Sequence, residues 1–229
     1  MSDRSAREQL ESCRQSFALI ADEVIDYLES SLKSAGVARY AFPEEILSRE
    51  HAIALMFLEL NHRCLNLLSL ADSIQHELQT VASIMKAARE LEQVTDLSRQ
   101  IIERRADIGT EVFESFGFNT IGNLLVLLAS RSVDAFSGSD PTALDDIHTL
   151  ECELDDMHRQ VHENANALMR IAMYPPGEIL ASRSLSWNLE RIAAHASGIS
   201  RSLTLAFDLL PMEPTRIGKM MPMAGFSKN

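Results

Sequence analysis

The residues best placed to do chemistry are carboxylates spaced by one helical turn. Glu92 and Asp96 stand four apart in "ELEQVTDLSRQI" (90–101), and Glu151 and Asp155 repeat the spacing in "ECELDD" (151–156). Two acids at i and i+4 on a helix share a ridge, with Cβ atoms about 5–6 Å apart, and repel one another slightly. Glu190, in "NLERIAAHASGIS" (188–200), keeps half of such a pair, because Ala194 stands four residues on; Glu50, facing Ala54, keeps half of another. Glu92, Glu151 and Glu190 each follow an apolar residue of the expected core (Leu91, Leu150, Leu189). Each acid is therefore turned about 100° from the core seam, toward a groove between helices. Carboxylates that converge in a groove pair with Arg or Lys, take up protons, or bind a cation through oxygen. A solvated acidic face is the ordinary meaning of one such pair; pairs at matching places in two repeats say more.

Catalytic patterns are missing. There is no GxSxG, phosphate-binding loop or dinucleotide fingerprint. A ferritin-like di-iron bundle needs two ExxH motifs and two further glutamates. "ELNH" (59–62) offers one, "DDMH" (155–158) is only DxxH, and the other histidines are scattered. Cys13, Cys64 and Cys152 are widely spaced, without CxxC or Cys/His zinc spacing, and read as reduced thiols. The net charge of −12, with no basic patch, argues against nucleic acid as a partner. The longest apolar run, "IGNLLVLLA" (121–129), is too short to span a bilayer, and the N-terminus lacks a basic-then-apolar export pattern. These features predict a cytoplasmic, non-enzymatic protein with at most peripheral membrane contact.

The elements that must position the acids are helices. Glycine and proline are sparse, and the apolar residues between them recur with helical period. Ser5 with Glu8 forms a capping-box start for a first helix ending near Gly36. Pro43 opens a second, to about Leu70; Asp72 with Gln75 starts a third, to about Ala106. Asn119 caps a fourth, ending at "SGSD" (137–140); Asp140–Pro141 starts a fifth, to Met173. Pro175, Pro176 and Gly177 precede a sixth, which stops at Pro211. In the sixth, Leu185, Leu189, Ile192, Ala196, Ile199, Leu203, Ala206 and Leu210 form a heptad seam. Trp187, beside that seam, is expected to anchor packing, and Met56, Met85, Met157 and Met169 to fill the core. The expectation is an all-α, elongated bundle of six long helices in two sets of three. Residues 1–110 form the first repeat, 111–211 the second, and 212–229 a flexible tail. Leu91, Glu92, Val94 and Ile101 match Leu189, Glu190, Ile192 and Ile199 at a spacing of 98, which Pro43 and Pro141 share.

The same residues resemble the PhoU family, accessory regulators of bacterial phosphate uptake built from two three-helix repeats. Each repeat of that family carries a signature close to "LERIGDxAxNI". "LERIAAHASGI" (189–199) is similar to it, and "LEQVTDLSRQI" (91–101) more loosely so. "CLNLLSLADSIQHEL" (64–78) resembles the stretch leading into the family's third helix, with Glu77 where an aspartate is usual, and "ECELDD" its DxxxD element. The resemblance covers about residues 10–210. It implies a cytoplasmic, often dimeric bundle that links the phosphate ABC transporter ATPase to a sensor histidine kinase and represses the phosphate-starvation response. It also implies divalent or trivalent metal (iron, zinc or magnesium) at two sites, Glu50, Glu92 and Asp96 in the first and Glu151, Asp155 and Glu190 in the second. The departures are Ala54 and Ala194, which each remove a carboxylate, and Gln100 and Gly198, which replace the signature asparagine. An alternative is a PhoU-like interaction bundle whose degenerate metal sites serve another partner system.

Overall fold

The computed structural model describes residues 3–37, 44–69, 78–138 and 142–202. Seven helices follow one another: α1 (Asp3–Val37), α2 (Glu44–Leu68), α3 (Leu78–Arg105), α4 (Thr110–Ser115), α5 (Phe118–Ser137), α6 (Ala143–Ile171) and α7 (Pro176–Arg201). The described residues hold no strand. Six long helices match the expectation, and α1 is already under way two residues before Ser5. The proposed starts at Pro43, Asp72 and Asp140–Pro141, the seam beyond Ser202 and the 212–229 tail lie outside the described residues.

α4 is a departure from the sequence expectation. α3 ends at Arg105, extended Gly109 precedes a six-residue helix, and Val112, Phe113 and Phe116 bury one side of it against the core. Gly117, at φ 69°, then turns the chain into α5. A left-handed residue is where glycine avoids the Cβ clash of other side chains. It displaces Asn119 from the capping position into the helix, where its side chain is exposed.

α1, α3, α5 and α7 form the inner layer. α3 and α7 make the broadest contact between the halves, while α2 packs outside on α1 and α3, and α6 outside on α5 and α7. The core is continuous across both halves. Leu185, Leu189, Ile192, Ala196 and Ile199 are all buried, as the heptad spacing requires.

The two halves have a common register. Between α3 and α7 it is 98 residues. Between α2 and α6 it is 101, because Ile46, Ile53, Phe57, Leu60 and Cys64 then coincide with Ile147, Leu154, His158, Val161 and Ala165, every one of them buried. The 98-residue spacing of Pro43 and Pro141 is therefore not the register of those helices. The three-residue difference falls between the second and third helices of each repeat. The α3–α7 contact is itself reciprocal. Asn188 Nδ2 donates to Gln100 Oε1 (3.4 Å), and in the matching place Glu90 lies against Gly198. Asn188 corresponds to Glu90, and Gln100 to Gly198, at the same 98 residues.

Trp187 is not a packing anchor. It is 54% exposed, with the Arg191 guanidinium 5.3 Å from its ring centroid. One residue from Ser186 and Asn188, both buried, the helix turns its side chain outward. Met56, Met85 and Met157 pack against the core at partial burial, whereas Met169 is exposed.

Candidate functional site

The first acidic cleft lies between α2 and α3. Leu91 is fully buried, which fixes the rotation of α3 and brings Glu92 and Asp96 to its groove side. Ile53 and Phe57 do the same for α2 and so place Glu50. The three acids form one electrostatic group. Burial raises the Glu50 carboxyl above its ordinary range, the Arg99 guanidinium opposes this, and Asp96 adds to it. Burial also raises Asp96, with Glu92 adding to the shift and Arg89 and Arg99 opposing it. Beneath them, burial raises the Tyr27 phenol, and the charge of Glu50 adds to the shift. Its hydroxyl has no hydrogen-bond partner among the described residues.

Arg99 closes this cleft. Its Nε lies 3.3 Å from Glu50 Oε1, and its Nη1 reaches Glu103. Glu92 is drawn along the helix to Arg89. The sequence places Arg99 in an unspecified position of the signature stretch, so only the tertiary register shows that it points at α2.

The second set is not drawn together in the same way. Asp155 and Glu190 are exposed on α6 and α7. Glu151 turns instead to Arg201 Nη1, at 3.0 Å, while Arg201 Nη2 donates to the Ala194 carbonyl at 3.3 Å. Ala194 is the position where the second signature lacks its acid, and a cation is held against its backbone. Arg99 and Arg201 are not equivalent residues: at the 98-residue register they match Ser197 and Glu103. Each repeat has thus reached a guanidinium–carboxylate pair from a different position on its third helix.

Among the described residues, no group of three or more His, Cys, Asp or Glu side chains is arranged to hold a metal ion. Glu50, Glu92 and Glu151 each face a guanidinium, which brings to them the positive charge that a cation would supply. The di-iron pattern fares no better. Glu59 pairs with Arg63 at 2.5 Å, His62 is exposed, and His158 is buried with Nδ1 3.1 Å from Ser186 Oγ.

Sequence reasoning missed one further polar pair. His195, on the side of α7 away from Glu190, meets α3, where its Nδ1 is 2.8 Å from Glu90 Oε2. Glu90 can lie there because residue 198 is glycine. A Cβ at Gly198 would sit 2.9 Å from Glu90 Cδ. The side chain thus fills the space that the signature asparagine's side chain would claim. The absence of that asparagine was the available signal.

No helix among the described residues is long and apolar enough to cross a membrane. A comparison with curated proteins gives no match. Among solved structures, PhoU from Pseudomonas aeruginosa is similar at TM-score 0.73 and 16% identity, covering 88% of this chain and 98% of that one. The phosphate transport system regulatory protein PhoU from Streptococcus pneumoniae is similar at TM-score 0.73 and 19% identity, covering 88% and 96%. At these identities the likeness concerns the fold. The PhoU domain matches twice, over residues 15–105 and 118–203, in the two halves whose registers are described above. Because those two segments make up most of the sequence, the chain belongs to the PhoU domain family.

Proposed function

We propose that the protein is a cytoplasmic, non-enzymatic regulator of phosphate uptake and phosphate-starvation signalling. It acts through contacts with the phosphate transporter ATPase and a sensor histidine kinase. The observation that carries this reading is the double PhoU-domain match across both halves of one bundle. The similar Streptococcus pneumoniae protein, a phosphate transport system regulatory protein, agrees with it. The outer helices α2 and α6 carry exposed side chains along their length and offer surface for docking. Deleting the gene is expected to leave alkaline phosphatase expressed constitutively in phosphate-rich medium, with the transporter ATPase and kinase recovered on the tagged protein. Normal phosphate repression in the deletion strain would overturn the assignment.

A second reading keeps the fold and changes the partner: a PhoU-like bundle with degenerate metal sites that serves another system. Arg99 and Arg201 favour it, since each supplies a cleft with the cation that a metal would bring. Elemental analysis separates the cases. The purified protein should carry little metal, and the Arg99→Ala/Arg201→Ala variant more. Near-stoichiometric metal in the parent that falls in Asp96→Ala/Asp155→Ala would instead establish Glu50, Glu92, Asp96, Glu151, Asp155 and Glu190 as ligands.

A further inference from the structure

Two buried thiols meet across the α1–α2 seam. Cys13 is 1% exposed, between Leu10 and Phe17 on the inner side of α1. Cys64 is 0% exposed, between Leu60 and Leu67 on the inner side of α2. The helices run antiparallel, since Arg49 reaches Glu23 and Ser30 while Arg63 reaches Ser12 and Ser16. Arg63 fixes the register at the cysteines: its Nη1 donates to Ser12 Oγ at 3.1 Å and to Ser16 Oγ at 2.9 Å. One residue on from Ser12 and from Arg63, each helix turns inward and the two thiols share a hydrogen bond. With axes about 8–10 Å apart and a Cα radius of about 2.3 Å, Cα atoms that face one another across two packed helices stand about 3.5–5.5 Å apart. That overlaps the span of about 4.4–6.8 Å over which a disulfide forms. The fold does not require sulfur at this place, because at the 101-residue register Cys64 corresponds to Ala165, which is equally buried.

The pair is buried without being sealed. A cavity of about 230 Å³ is lined by Gln9, Ser12, Cys13, Arg63 and Asn66. A water molecule takes up about 30 Å³ of liquid, so hydrogen peroxide, little larger, fits beside Cys13. Cys13 forms part of the wall and Cys64 does not. The electrostatics order the two thiols in the same way. Burial raises the Cys13 thiol above its ordinary range, while the hydrogen bond from Cys64 and the charge of Arg63 pull it back. Burial pushes Cys64 up to about 12, and the charge of Cys13 and the shared hydrogen bond add to the shift. Cys13 therefore ionises first, and the thiolate is the nucleophile.

We propose that Cys13 and Cys64 are a site of oxidation by hydrogen peroxide, with Cys13 attacked first and Cys64 resolving it into a disulfide that staples α1 to α2. In the first step the Cys13 sulfur forms a bond to one peroxide oxygen, the O–O bond breaks, and the departing hydroxide leaves with the thiol proton as water. Cys13 becomes a sulfenic acid. In the second, the Cys64 sulfur bonds to the Cys13 sulfur, the S–O bond breaks, and the hydroxyl leaves with the Cys64 proton as a second water. Two thiols are oxidised by two electrons in all, and one peroxide is reduced to two waters. Because burial holds both thiols largely protonated near neutrality, the reaction is slow there and quickens as pH rises.

The test uses native protein carrying Cys152→Ser, which removes the exposed thiol. It is treated with hydrogen peroxide, quenched with catalase, and only then denatured, alkylated and mapped by mass spectrometry. A Cys13–Cys64 linked peptide should accumulate as free thiol is lost, faster at higher pH, and dithiothreitol should restore both thiols. With Cys64→Ser added, oxidation should stop at a Cys13 sulfenic acid that dimedone captures. With Cys13→Ser added, Cys64 should remain a thiol. The linked peptide is read with both core cysteines in place, so a core variant that fails to fold does not decide the result. Full alkylation of both cysteines after peroxide, oxidation of Cys13 past the sulfenic acid with Cys64 still a thiol, or dimedone captured by Cys64 in folded Cys13→Ser overturns the proposal.

Discussion

Arg105→Ala is expected to lower the unfolding free energy by about 3 kcal/mol. Arg105 is 1% exposed and ends α3. Its Nε donates to the Ala35 carbonyl at 2.7 Å, its Nη1 to the Ile108 carbonyl, and its guanidinium lies 4.4 Å from the Phe113 ring centroid. Ala35 belongs to the last turn of α1, whose carbonyls have no partner within the helix. The cation therefore serves the negative ends of α1 and α3 together, at the junction where the first repeat passes through α4 into the second. Truncation removes two charge-assisted bonds of about 1.5–3 kcal/mol each. Relief from holding a charge out of water recovers part of that. At about 2–4 °C per kcal/mol for a chain of this size, the melting temperature should fall by roughly 6–12 °C. Arg105→Lys should recover little, since one ammonium cannot span both carbonyls. Urea denaturation followed by circular dichroism measures it; a loss under about 1 kcal/mol would mean that the two carbonyls find other donors.

The helix layout was legible because helices write themselves into a chain locally. Apolar period, a proline at a start and a glycine at a stop are properties of adjacent residues: the period runs through all six long helices, Pro176 opens α7, and Gly138 closes α5. α4 is not legible in the sequence because six residues give too few periods to count, although Gly109 and Gly117 bracket it and Val112, Phe113 and Phe116 share its buried side. The rotation of each helix was also legible: Leu91, Leu150 and Leu189 are buried, so the acid after each one leaves the core.

What the acids face was not legible. Arg99 meets Glu50 across 49 residues of sequence, and Arg201 meets Glu151 across 50. Such pairs depend on how far one helix is shifted along another, a quantity that no local pattern carries. The 101-residue register shows the same limit. The proline spacing of 98 held for α3 and α7 and failed for α2 and α6, because the connections between second and third helices differ in length. Trp187 fails for a related reason: a residue next to a heptad seam lies on either side of the boundary, and one step of 100° decides between core and water.

The pH dependence of stability should be dominated below neutrality by His158, which occupies in α6 the buried position that Phe57 occupies in α2. Burial lowers its imidazole from 6.5 to about 4; Asp155 opposes the shift and His162 adds to it. Nδ1 faces Ser186 Oγ, and Nε2 has no partner among the described residues. Above pH 6.5 the ring is neutral in both native and unfolded chains and contributes no slope. Between 6.5 and about 4 the unfolded chain takes a proton that the native chain refuses, so stability falls as pH falls. The full loss is roughly 3 kcal/mol, from about 1.4 kcal/mol per unit. Glu50 and Asp96 act with the opposite sign. Their raised carboxyls are protonated more readily in the native state, so they favour folding as pH drops through their range. His158→Phe borrows the residue of the equivalent position. It should cost about 1 kcal/mol at pH 7 for the lost Ser186 contact, and should flatten the decline between pH 6.5 and 4. The checking measurement is urea unfolding at closely spaced pH values. An unchanged slope in His158→Phe would assign the decline to groups elsewhere in the bundle.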